Sequence, residues 1–173
     1  VSVTVEIRPL THDDVSEYRA LRLRALQEHP EAFGSSYEEG LARPEGWYMA
    51  RIQDAAHPAD RLFGAFDNGV LIGTLGFSRL ERSKDRHKGE LWGMHVAQEA
   101  TGRGVGRALL EAAIAYSRQQ AGLIQVGLAV VSENARAVGL YQSLGFESYG
   151  REPRALCVAG RYLDEDLMLL RLD

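Results

Sequence analysis

The segment Thr101-Gly102-Arg103-Gly104-Val105-Gly106-Arg107 sets three glycines at alternate positions, between an apolar run and an amphipathic one. Glycine has no Cβ, so successive backbone amides can converge on one point. A helix start directly after such a turn adds its own unpaired amides and the positive end of its dipole. Together these groups make a site for phosphate. Two familiar glycine loops do not fit. A P-loop ends in Gly-Lys-Ser/Thr, whereas Gly106 is followed by Arg107-Ala108. A dinucleotide fingerprint needs Gly-x-Gly-x-x-Gly, but the sixth residue is Arg107 counted from Gly102 and Leu109 counted from Gly104. Two readings stay open: a loop for the pyrophosphate of an acyl-CoA, and a tight turn whose glycines only permit close packing.

The elements that must position this loop follow from local patterning. Val1, Val3, Val5 and Ile7 alternate with polar residues, a strand pattern that Pro9 ends. Thr11 is the expected N-cap of a helix running to about Gln27, and a second helix is expected from Pro44 to about Asp54. Arg61–Phe66 and Val70–Phe77 read as strands joined at Asp67-Asn68-Gly69, residues that tolerate positive φ. Gly89–Val96 reads as the strand before the glycine loop. The helix after the loop reaches about Gln120, with Val105, Leu109, Ala112 and Tyr116 on its apolar face. Ile124–Val131 is a strand, Asn134–Leu144 a helix closed by Gly145, and the tail to Leu172 holds two or three strands turning at Gly160. This order suggests one central sheet with helices on its faces, in a single domain over residues 1–173.

Bulk properties narrow the function. The 173 residues are 45% apolar, normal for a chain with one core. Twenty basic against 24 acidic residues give a net charge of −4, which argues against a general nucleic-acid binder. No run approaches a membrane span, and the first ten residues lack a signal-peptide pattern, so a cytoplasmic setting is expected. The single cysteine, Cys157, fits a reducing compartment, with a nucleophilic role as the alternative. The five histidines show no ligand spacing, and no metal is expected.

The chain resembles the GCN5-related N-acetyltransferase family over nearly its whole length. The family's Arg/Gln-x-x-Gly-x-Gly/Ala motif matches at Gly104 and Gly106, while Thr101 stands where Arg or Gln is usual. Glu90-Leu91-Trp92-Gly93-Met94-His95-Val96 resembles its splayed strand. Asn134-Ala135-Arg136-Ala137-Val138-Gly139-Leu140-Tyr141 resembles its Asn-x-x-Ala-x-x-x-Tyr helix, and Leu144-Gly145-Phe146 its exit. The resemblance implies a mixed α/β fold: a mostly antiparallel twisted sheet of about seven strands, flanked by helices, with one strand pair splayed to form an acyl-CoA groove.

It also implies the chemistry, an amine attacking the thioester of acetyl-CoA directly. Gly102, Arg103, Gly104, Val105, Gly106 and Arg107 would hold the pyrophosphate, with Thr101 beside them and Arg103 or Arg107 standing in for the missing side chain. Met94, His95 and Val96 would offer main-chain groups to the cofactor arm, and an amide near Met94 or His95 would polarise the carbonyl. Asn134 would touch the arm, cap its helix, or both. Tyr141 is the candidate general acid for the departing thiolate. Glu90 and His95 compete as general base, because strand alternation alone does not say which faces the gap. Acidic and aromatic residues between Glu28 and Tyr48 suit a cationic amine, the alternative being that most of these acids lie on a solvated loop. Tyr162 and Asp164 are tail residues that would approach it, or that serve only strand packing. Exposed tail strands would serve a homodimer. The alternative is a non-catalytic acyl-CoA-binding regulatory domain on the same scaffold; the acceptor amine is unassigned.

Overall fold

In the computed structural model, which describes residues 4–173, one seven-stranded sheet runs through the molecule. The strands are β1 (Glu6–Pro9), β2 (Arg61–Asp67), β3 (Val70–Arg79), β4 (Lys88–Val96), β5 (Gln125–Val131), β6 (Glu147–Val158) and β7 (Arg161–Arg171). The helices are α1 (Val15–Glu28), α2 (Tyr37–Ala42), α3 (Glu45–Ile52), α4 (Val105–Arg118) and α5 (Ala135–Ser143). Val1 and Val3 of the expected first strand lie outside the described residues. The sheet order is β1-β2-β3-β4-β5-β7-β6, antiparallel everywhere except between β4 and β5. The tail forms two long strands, turning at Ala159 and Gly160, both with positive φ.

Two hydrophobic clusters are fed by opposite faces of the strands. Phe63 and Ala65 of β2 join α4 residues such as Leu109, Leu110 and Ala113. Leu62 and Phe66 of the same strand join Tyr18 and Leu21 of α1 and Tyr48 and Ile52 of α3. That is uninterrupted period-two alternation, because the register shift opposite Ala65 and Phe66 puts its extra residue, Ile72, in β3. α1 begins later than its expected cap. Thr11 opens a short 3-10 turn, and the Asp14 carboxylate reaches back over it, accepting from the Thr11 amide at 2.7 Å and from Arg8 at 2.8 Å. The guanidinium of Arg8 holds the Asp14 carboxyl well down, to about 2.

Two irregularities shape the centre. β4 and β5 pair only at Lys88–Gln125, Gly89–Val126 and Glu90–Gly127, and diverge beyond. β4 also carries a bulge where the register slips between Thr74 and Gly76 of β3, with Gly93 at φ +63°. Gly76 itself is required for close approach: a Cβ there would sit 2.3 Å from the indole of Trp92.

Candidate active site

The glycine turn folds as a cradle. Gly102 and Gly104 have φ of +77° and +79°, left-handed conformations that bring neighbouring amides to one side. The first backbone bond of the α4 region is Ala108 N–H to the Gly104 carbonyl, 3.0 Å. Among the described residues, the amides of residues 102–107 have no hydrogen-bond acceptor. The turn and the N-terminus of α4 therefore present a row of unsatisfied donors to a groove lined by Thr101, Gly104, Gly106, Arg107, Asn134 and Leu140.

Side chains of the turn divide. Thr101 gives its hydroxyl to the Gln98 carbonyl at 2.8 Å. Arg103 turns away and pairs with Asp67 at 2.9 Å, so its guanidinium is engaged outside the groove. Arg107 stays at the groove and donates to the Ser143 hydroxyl at 2.6 Å. Of the two arginines expected to replace the missing motif side chain, only Arg107 is placed to do so.

The groove leads into the gap between β4 and β5. Met94, Asn134 and Ala137 line both the groove and the gap, and Tyr141 lies at the gap's inner wall with Leu128, Val130 and Val131. Asn134 caps α5, its Oδ1 accepting from the Ala137 amide at 3.2 Å. Beyond Glu90 the β5-facing edge of β4 is unpaired, so its main-chain groups are free for an extended ligand. Leu91, Trp92, Gly93, Leu128, Ala129 and Glu165 line both the gap and a second pocket on the α1 side. Groove, gap and second pocket thus adjoin one another and share walls at the splayed strands.

A family model described as the acetyltransferase (GNAT) family matches residues 23–146. The chain belongs to that family. Mycothiol acetyltransferase from Salinispora arenicola is 36% identical over 141 residues, 80% of this chain and 42% of its own length. L-methionine sulfoximine/L-methionine sulfone acetyltransferase from Pseudomonas paraeruginosa is 40% identical over 139 residues, 77% of this chain and 75% of its own. The structure of yncA, described as a putative acetyltransferase, from Salmonella typhimurium with its cofactor acetyl-CoA superposes with a TM-score of 0.80 at 25% identity, covering 98% of this chain and 95% of that one. The chain therefore spans less than half of the mycothiol acetyltransferases it matches, and most of the sulfoximine relative.

Within this GNAT frame the bulge at Gly93 decides which β4 side chains share a face. Simple alternation groups residues 90, 92 and 94. In the structure Trp92 packs against the α1 and α3 cluster, whereas Met94 packs against the α4 cluster and reaches the Gly106 turn. Glu90 is exposed and borders the second pocket. His95 is buried between His29 and Phe33, ring centroids 6.1 and 6.2 Å away, and its Nε2 has no partner. Burial, reinforced by His29, pulls its pKa down to about 4. Tyr141 is also buried, edge-on to Phe146, and burial pushes its phenol up to about 12.

The acceptor-side expectations need correction. Two of the acids before Tyr48 are engaged elsewhere: Glu28 pairs with Arg24 at 2.9 Å, and Glu39 accepts from the Ser36 amide at 2.8 Å. Trp47 and Tyr48 are packed against arginines, not left open for an amine. Tyr162 is exposed, with Arg154 over its ring, and Asp164 accepts from the Arg154 amide at 2.8 Å. Neither borders the second pocket; Glu165, Leu167 and Tyr149 do. Cys157 is exposed beside Tyr37 and Glu38, in a cleft that no histidine lines. Arg22 and Arg51 of the second pocket were not among the residues singled out from the sequence. One signal was available: Arg22 sits inside the helical stripe Tyr18, Leu21, Ala25, Leu26, where a charge is out of place.

Proposed function

We propose that this chain binds acetyl-CoA in the groove and transfers its acetyl group to an amine that enters from the α1 side. The observation that carries this reading is the row of unsatisfied amides at residues 102–107, opening into a gap that ends at a buried phenol. Gly102, Gly104, Gly106 and Arg107 take the pyrophosphate, and the free edge of β4 from Met94 to Val96 pairs with the pantetheine arm. An amide near Met94 stabilises the oxyanion, an interaction worth ~3 kcal/mol of transition-state energy.

Tyr141 then acts as the acid. Burial pushes the phenol up, so it is protonated at neutral pH, and the same dry gap raises the basicity of the departing thiolate, which takes the proton. Glu90, exposed and bordering the acceptor-side pocket, is the favoured base, acting directly or through water. His95, pulled to about 4, is too weak a base at neutral pH to compete. The edge strand β6, exposed along most of its length, is the surface we assign to a homodimer.

The test is calorimetry with acetyl-CoA followed by product mass spectrometry after incubation with pooled amines. Binding together with an amine 42 Da heavier, the mass of an added acetyl group at about 1 Da precision, supports transfer. Binding with no acetylated product in any pool favours a non-catalytic acyl-CoA-binding domain instead.

A further inference from the structure

The acceptor-side pocket holds two arginines that no carboxylate pairs with directly among the described residues. Arg22 projects from α1 and is 9% exposed. Among the described residues it forms no ion pair, and its buried Nε has no hydrogen-bond partner. Aromatic rings border it instead: Phe33 at 5.6 Å and Trp47 at 5.9 Å. Arg51 enters from α3, gives its Nε to the Tyr18 hydroxyl at 3.1 Å, and lies over Trp92 at 4.2 Å and Trp47 at 4.5 Å. No carboxylate pairs with it among the described residues. Several arginines pair with carboxylates, as in Arg8–Asp14, Arg24–Glu99, Arg151–Asp166 and Arg161–Glu133; Arg22 is set apart from the other arginines without an ion pair by its burial.

An unpaired buried guanidinium is costly to the fold. Its planar fork of donors, in a dry aromatic setting, suits a carboxylate. The same pocket is lined by Glu90 and by half-buried Glu165, groups suited to an amine. Both signs of charge therefore border one small cavity that opens on the thioester gap. A polyamine would place further cations against Arg22 and Arg51, and a neutral amino-sugar would leave both unpaired.

We propose that the acceptor is a small zwitterion of the amino-acid type, whose carboxylate is held by Arg22 and Arg51 while its amine faces the β4–β5 gap. This deepens, and rests on, the acetyl-transfer reading.

The experiment compares matched acceptors with saturating acetyl-CoA: α-amino acids, their carboxamides, and the amines left by decarboxylation. The carboxamide's amine is the less basic, so the chemistry alone favours it over the acid. The expected result is a kcat/KM for the preferred acid about 100-fold above its carboxamide, the discrimination of a lost charged hydrogen bond. Arg22→Met should erase that preference and Arg22→Lys should restore part of it, with acetyl-CoA affinity unchanged by calorimetry. Arg51→Met serves as the second variant should Arg22→Met not fold. Binding of the same acids to CoA-loaded protein is read separately. Equal turnover of acid and carboxamide, or an equal loss for both in Arg22→Met, overturns the zwitterion assignment while acetyl transfer stands. Acid binding that needs Arg22, with no turnover, upholds the anion site and sinks the transfer reading. Absence of both binding and turnover overturns the zwitterion assignment, and acetyl transfer is then decided by the pooled-amine products.

Discussion

The groove at the glycine turn and the pocket behind α1 meet at one gap, yet they are made of different material. The groove is main chain: a contiguous run of free amides at residues 102–107 and the unpaired edge of one strand. Its side chains are largely engaged elsewhere, Thr101 with Gln98 and Arg103 with Asp67. The pocket is side chain: Arg22 from α1, Phe33 from the following turn, Arg51 from α3, Glu90 and Trp92 from β4, Tyr149 and Glu165 from the tail strands. A backbone cradle depends on φ and ψ and tolerates most changes of side chain. A pocket built from scattered side chains can change ligand with one substitution. The groove therefore suits a constant ligand and the pocket a variable one, and perturbations of the two should separate in binding.

Tyr141 stands where they meet, and its loss should have the largest effect. Tyr141→Phe keeps the packing on Phe146 and removes only the hydroxyl. Removing a general acid lowers kcat by about 100- to 1,000-fold. Calorimetry should return an unchanged acetyl-CoA Kd. Turnover at the wild-type rate would leave the gap without its assigned acid and the comparison without its junction.

Gly104→Val attacks the groove alone. A Cβ at this position meets nothing within 4 Å, so the penalty is conformational. A β-branched residue at φ +79° is strained by about 2 kcal/mol, and relieving it flips the turn. The acetyl-CoA Kd should rise ~30-fold, while the acceptor KM, measured at saturating acetyl-CoA, stays put. Gly76→Ala attacks the pocket alone. Its methyl would lie 2.3 Å from the Trp92 ring, forcing the indole off the Ser78 hydroxyl it meets at 2.9 Å. Overpacking of this kind costs about 1–3 kcal/mol of stability, and the acceptor KM should rise ~10-fold with the acetyl-CoA Kd unmoved. A shift of both constants in either variant would mean that the two regions are one mechanical unit.

The same contrast explains what the amino-acid sequence revealed. The glycine turn, the helix behind it and the Asn134–Tyr141 segment were legible because each is set by neighbours in the chain: positive φ at glycine, an N-cap, an apolar stripe on α4. The order of elements also emerged, whereas the splayed pair came only with the family resemblance. Arg22, Arg51 and Glu165 were not legible as one pocket, since they converge only when α1, α3 and β7 pack around the sheet. The β4 bulge lies between these cases. Gly93 hints at it, but which side chains it regroups depends on the register with β3, a non-local fact. Without that register the choice between Glu90 and His95 had no physical basis.

His95 gives the smallest expected effect on rate, and the one that locates the base. It lines the groove, whereas Glu90 lines the pocket. Its folded pKa of about 4 lies below the ordinary value of 6.5, so the unfolded chain binds the proton more readily. The stability it contributes is present above pH 6.5 and drains away as pH falls through 4. His95→Asn should therefore flatten the loss of Tm between pH 6.5 and 4. Between pH 7 and 9, where the imidazole is already neutral, kcat/KM should change by less than about twofold. Should the acid limb of kcat/KM vanish with His95 instead of with Glu90, proton removal belongs to the cofactor side, and the division of labour drawn between the two regions is wrong.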